Sequence, residues 1–95
     1  MDKKMEFVEK LSAQMVEWDV QIDLLKFKAD SAAKELKSEY YREIDALLLK
    51  RKEAALKLQG VSAAGGVTWE TLKAGTESIW DDTRTSLHDT ILKIK

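Results

Sequence analysis

The first 59 residues contain neither glycine nor proline, and that unbroken stretch restricts most of the chain to helix. It is dense in Ala, Leu, Lys, Glu and Gln, which lose little side-chain freedom on entering a helix. All four glycines fall between positions 60 and 75. Gly60 can take the left-handed backbone angle that ends a helix, with Val61 packing back on the last turn. Past Gly65 and Gly66, Thr68 is a ready N-cap, and Glu70 sits in the first turn, where the helix dipole favours negative charge. The reading is all-α in a single domain: one helix over 3–59, a Gly-rich turn over 60–67 and a shorter helix over 68–94.

Apolar spacing refines this. Val8, Leu11, Met15, Trp18, Ile22 and Leu25 alternate by three and four residues, a heptad seam. From Leu25 onward the period lengthens to eleven, through Leu36, Leu47 and Leu58, with Ala33, Ile44 and Ala55 in step. The second helix repeats it in Trp69, Trp80 and Ile91, each followed three residues later by Leu72, Thr83 and Ile94. A period of about 3.67 residues per turn keeps one stripe facing a partner with little supercoil. The two helices are therefore expected to form an antiparallel coiled-coil hairpin with hendecad repeats. Its core would be Leu36, Tyr40, Ile44, Leu47 and Leu58 against Trp69, Leu72, Trp80, Leu87 and Ile91.

Lengths then predict association. At 1.5 Å per residue the first helix is about 80 to 85 Å long and the second about 40 Å, so residues 3–31 have no partner within the chain. That half is the most apolar, carrying Phe7, Val16, Val20, Leu24 and Phe27 beside its heptad seam. Leaving such a surface bare costs about 25 cal/mol per Å². A homo-oligomer is expected, most simply an antiparallel dimer with a four-helix cross-section. Its interface would comprise Val8, Leu11, Met15, Trp18, Val20, Ile22, Leu24, Leu25 and Phe27. A different protein partner or a lipid layer are the alternative occupants.

The remaining chemistry is sparse. Sixteen basic against seventeen acidic side chains leave a net charge of −1, which argues against nucleic-acid binding. Cysteine is absent and His88 is the sole imidazole, so neither thiolate chemistry nor a histidine metal site is expected. No apolar run approaches the roughly 18 residues of a membrane span, and the first residues lack the apolar stretch of a signal peptide. No Ser/His/Asp set or phosphate-cradling loop is present, and the protein is read as non-enzymatic and without a cofactor. Trp18, Trp69 and Trp80 fall on apolar rows and are read as packing rather than as a ligand box. Lys50, Arg51 and Lys52 read as a solvated face, except that Arg51 points inward in the repeat. Its stem can lie along the seam while the guanidinium reaches an edge carboxylate. Asp81 with Asp82, and Asp19 with Asp23, lack converging ligands for a cation. Six threonines crowd the last third, two of them (Thr76 and Thr83) on the seam, so the second helix should be weak alone and fold by docking.

Several of these residues also carry a resemblance. Trp18-Asp19, Ile22-Asp23 with Leu25, Ala29-Asp30, Tyr40, and the run Trp69-Glu70-Thr71-Leu72-Lys73-Ala74-Gly75 followed by Trp80-Asp81 resemble the small bacterial coiled-coil proteins of a stress-response family found in cyanobacteria and proteobacteria. The resemblance implies a soluble cytoplasmic helical hairpin linked to stress. It implies no catalytic or binding residue. The Thr-rich second helix departs from the Ala/Lys/Glu composition of such proteins.

Overall fold

Intrinsic helix preferences differ by at most about 0.7 kcal/mol per ordinary residue, so burial can break a helix that propensity alone would continue. That happens at Ser31–Ala33. The computed structural model describes residues 2–94 and contains α1 (Lys3–Asp30), α2 (Lys34–Ala63) and α3 (Thr68–Lys93). The helix expected over 3–59 is thus two helices folded against each other, and the hairpin is a three-helix bundle.

The turn between α1 and α2 uses ordinary residues. Ser31 donates its N–H to the Phe27 carbonyl and Ala32 to that of Ala29, closing α1. Ala33, at φ −58° and ψ 147°, steps into extended backbone and starts α2 without a side-chain cap. Forfeiting a few helical hydrogen bonds here lets α1 bury Leu11, Trp18, Ile22, Leu25 and Ala29 inside its own chain. The orphan surface that predicted an oligomer is therefore covered internally along that row.

The second turn also shifts. Gly60 lies within α2, which runs on to Ala63. The left-handed position is Gly66, at φ 60°. Val67 rather than Thr68 precedes the first residue of α3, and no side chain caps that end. At the start of the chain the Asp2 carboxylate caps α1 by accepting from the N–H groups of Lys4 and Met5.

Burial follows three-four spacing in every helix. It runs through Leu11, Trp18, Ile22, Leu25 and Ala29 in α1, and through Ile44, Leu47, Ala54, Leu58 and Val61 in α2. In α3 it runs through Thr76, Trp80, Thr83, Leu87 and Thr90, and on to Ile94 just beyond the helix. The eleven-residue rows are buried only in part: Leu25, Ile44, Leu47, Leu58, Trp80, Thr83 and Ile94 lie in the core, whereas Leu36 is 42% exposed and Leu72 40%. Buried threonines cost little here because each hydroxyl donates to the carbonyl four residues back, those of Leu72, Ile79 and Ser86. Their small size suits the α2–α3 pair, which is the most extensive in the bundle.

Antiparallel pairing of α1 with α2 and of α2 with α3 leaves α1 parallel to α3. Two aromatic pairs set that parallel register: Phe7 on Trp69 at 6.1 Å between centroids and Trp18 on Trp80 at 4.7 Å. The eleven-residue interval from Trp69 to Trp80 equals that from Phe7 to Trp18, so one register satisfies both pairs. The bundle measures 52 × 19 × 18 Å, the length of one helix by the width of about two.

Candidate association surface

The longest row of exposed apolar side chains lies on the outside of α1, while Leu49 and Leu56 on α2 and Leu92 on α3 are also exposed. Side chains three and four apart share a helix face, and α1 carries apolar residues on two opposite faces. The inner row is buried as described. The outer one comprises Ala13, Val16, Val20, Leu24 and Phe27, with the larger four exposed by 64%, 54%, 52% and 71% in that order. Glu9, Glu17 and Asp23 stand exposed beside this stripe, as do Lys10 and Lys28.

Polar side chains elsewhere serve to join helices. Arg51 grips Asp19 with two parallel bonds, Nε to Oδ1 at 2.8 Å and Nη2 to Oδ2 at 2.9 Å. This is the inward arginine reaching a carboxylate, and the partner comes from α1. Between α2 and α3, Lys50 pairs with Asp82 at 3.0 Å and Lys93 with Glu43 at 3.1 Å. Asp81 bonds Arg84 within its own helix. The Trp80 indole N–H donates to the Gln14 Oε1 at 2.8 Å, and Lys4 Nζ donates to the carbonyls of Ala64 and Ser62, closing the C-terminal end of α2. Among the described residues no buried side-chain nitrogen or oxygen lacks a partner, and no three His, Cys, Asp or Glu side chains gather into a metal-ligating group. His88 is exposed.

Of the open grooves that flank α1, the two larger differ in what lines them. One, of about 370 Å³, runs between α1 and α2 past Val8, Ser12, Met15, Val16, Ala55 and Gln59 and is lined also by the Arg51–Asp19 pair. The other, of about 530 Å³, lies at the end where Phe7 and Trp69 meet, with Lys73 Nζ 5.6 Å from the Phe7 centroid and 6.0 Å from that of Trp69. Neither presents an unpaired buried polar group aimed at a ligand. No helix among the described residues is long and apolar enough to cross a membrane.

The residues expected in an oligomer interface therefore divide. Leu11, Trp18, Ile22 and Leu25 are buried within the chain, and Val8 and Met15 pack half-buried on the same cluster. Val20, Leu24 and Phe27 are left outside. Of the expected hairpin core, Ile44, Leu47, Leu58, Trp80 and Leu87 are buried, whereas Tyr40, Trp69 and Ile91 are half-buried and Leu36 and Leu72 exposed. The sequence reading missed the cap from Lys4, the Gln14–Trp80 bond and the burial of Thr90. The signal for Thr90 was its place seven residues after Thr83, as Thr83 is after Thr76.

No protein-family model, curated protein or solved structure matches this chain.

Proposed function

We propose that the protein is a non-enzymatic structural protein that associates with a second copy of itself through the outer stripe of α1. The observation that carries this reading is the exposure of Val16, Val20, Leu24 and Phe27 along one face of one helix. Scattered exposed apolar residues are ordinary, but a contiguous row on a helix that already buries its other face is what a partner helix fits. The row at 13, 16, 20, 24 and 27 is symmetric about Val20, so antiparallel pairing brings Val20 onto its counterpart and seats Phe27 of one copy over Ala13 of the other. A two-fold interface requires such self-complementarity. The resemblance to bacterial stress-response coiled-coil proteins supplies a stress-related setting for the same proposal.

The competing occupant is lipid or another apolar surface. Glu9, Glu17 and Asp23 outnumber Lys10 and Lys28 beside the stripe, which favours protein, because an interfacial helix that binds anionic lipid carries an excess of Lys and Arg there. Light scattering coupled to size exclusion tests the proposal on the wild type and on Leu24→Asp with Phe27→Asp. Both positions are exposed, so the double variant folds. The expected result is concentration-dependent assembly that the double variant loses. Assembly unchanged in the variant, or co-flotation of the wild type with anionic vesicles at physiological salt, contradicts it.

A further inference from the structure

We infer that α1 is an exchangeable arm: two copies of this chain can open at Ser31–Ala33 and each dock its α1 on the α2–α3 pair of the other. This goes beyond the stripe on the outer face, which the exchange leaves uninvolved. Exchange of an identical element needs a hinge with two acceptable conformations and an arm whose contacts are all reproduced in the partner.

The hinge meets the first condition. The segment Asp30-Ser31-Ala32-Ala33-Lys34 contains no Gly or Pro, and no described residue other than Gly66 has a positive φ. Ala is the best helix former, and Ala33, which precedes α2, offers no side-chain cap to lose. Straightening the segment supplies the helical hydrogen bonds that the turn omits and brings Asp30 and Lys34 to the favourable acid-first i,i+4 spacing. The result is one continuous helix from Lys3 to Ala63, about 90 Å long.

The arm meets the second. All that holds α1 is reproduced when the long helices of two copies lie antiparallel. The row from Leu11 to Ala29, the Asp19–Arg51 pair, the Gln14–Trp80 bond and the Lys4 cap become contacts between copies. Ala29 and Ile44 are fifteen residues apart, so on a continuous helix the buried rows of α1 and α2 lie within about 60° of each other and one face serves both ends. The α1–α3 interface is the thinnest of the three, and short hinge loops favour exchange.

Lys34→Pro separates the two forms. Position 34 is the first residue of α2, where proline fits, and the preceding Ala33 already has the extended backbone that proline demands. In the straightened helix the same proline removes a hydrogen bond and collides with the turn before it. The wild type, unfolded in urea and refolded at high concentration, is expected to yield a slowly dissociating dimer. Lys34→Pro should weaken that dimer about a hundredfold or more while its dilute monomer keeps wild-type helicity. Single-cysteine chains Ser12→Cys and Gln59→Cys, refolded together, should cross-link to each other, since the two positions line one groove between α1 and α2. In the Lys34→Pro background that cross-link should vanish, and in the Leu24→Asp, Phe27→Asp background it should persist. A wild type that stays monomeric after concentrated refolding overturns the inference, as does a Lys34→Pro chain that dimerises and cross-links like wild type. Loss of the cross-link in the stripe variant alone would assign the dimer to the outer face instead.

Discussion

Ile22 and Val20 lie two residues apart on α1, yet the fold gives them opposite environments, 2% against 54% exposed. Truncating each to alanine tests whether α1 packs inside its own chain. Ile22→Ala removes three carbon groups at roughly 0.8 kcal/mol each and leaves a cavity beside Leu25 and Ala29, so the loss is about 3 kcal/mol. For a chain of this size that lowers the midpoint of thermal unfolding by about 12 to 24 °C. Val20→Ala removes nothing from the core and replaces a β-branched residue with the best helix former. It should be neutral or stabilise by up to about 0.5 kcal/mol. Urea unfolding followed by circular dichroism, at a concentration low enough to keep the chain monomeric, reads both. Losses that are equal at the two positions, or below about 1 kcal/mol for Ile22→Ala, would refute the inward docking of that row.

Three further outcomes follow from the same packing. Thr83→Val should change stability by less than about 1 kcal/mol in urea unfolding, because the hydroxyl bonds only carbonyls that the backbone already uses; a larger loss would show that the hydroxyl joins α3 to α2. A double-mutant cycle on Asp19→Ala and Arg51→Ala should give a coupling of about 1 kcal/mol or less that shrinks with added salt, since both side chains are part-exposed; a coupling of 3 kcal/mol would mean a desolvated pair. A peptide of residues 67–95 should be mostly unstructured in dilute buffer, because α3 lacks a side-chain N-cap and buries threonines that favour helix poorly; a strongly helical circular dichroism spectrum contradicts this.

The α2–α3 half of the fold was legible because Gly65 and Gly66 mark its turn and Ile44, Leu47, Leu58, Trp80 and Leu87 mark its seam. The Ser31–Ala33 turn was not, because its residues are as compatible with helix as their neighbours and its cause is long-range: the inner row of α1 has a place to go. Two signals stood in the sequence. The three-four seam continues in phase from Leu25 to Ala29 and stops just before Ser31, where the eleven-residue row departs from it. A helix of nearly sixty residues with no partner for half its length was itself a mismatch that folding back resolves. The outer stripe was legible as a second apolar face on α1; which of the two faces the chain would keep for itself was not, since both have helical spacing. Burial of Trp18 and Ile22 follows from where Trp80 and the α2 seam lie, which no local pattern states.

Folding back of α1 within a single molecule is the claim on which the rest depends, and single-molecule energy transfer measures it where no second copy can contribute. The chain has no cysteine, so Ser12→Cys with Gln59→Cys places two dyes at known positions on the groove between α1 and α2. A three-helix monomer holds them close and transfers energy with high efficiency. An unbroken helix would separate them by about 70 Å, and a low-transfer population at that distance in the isolated molecule would contradict the fold.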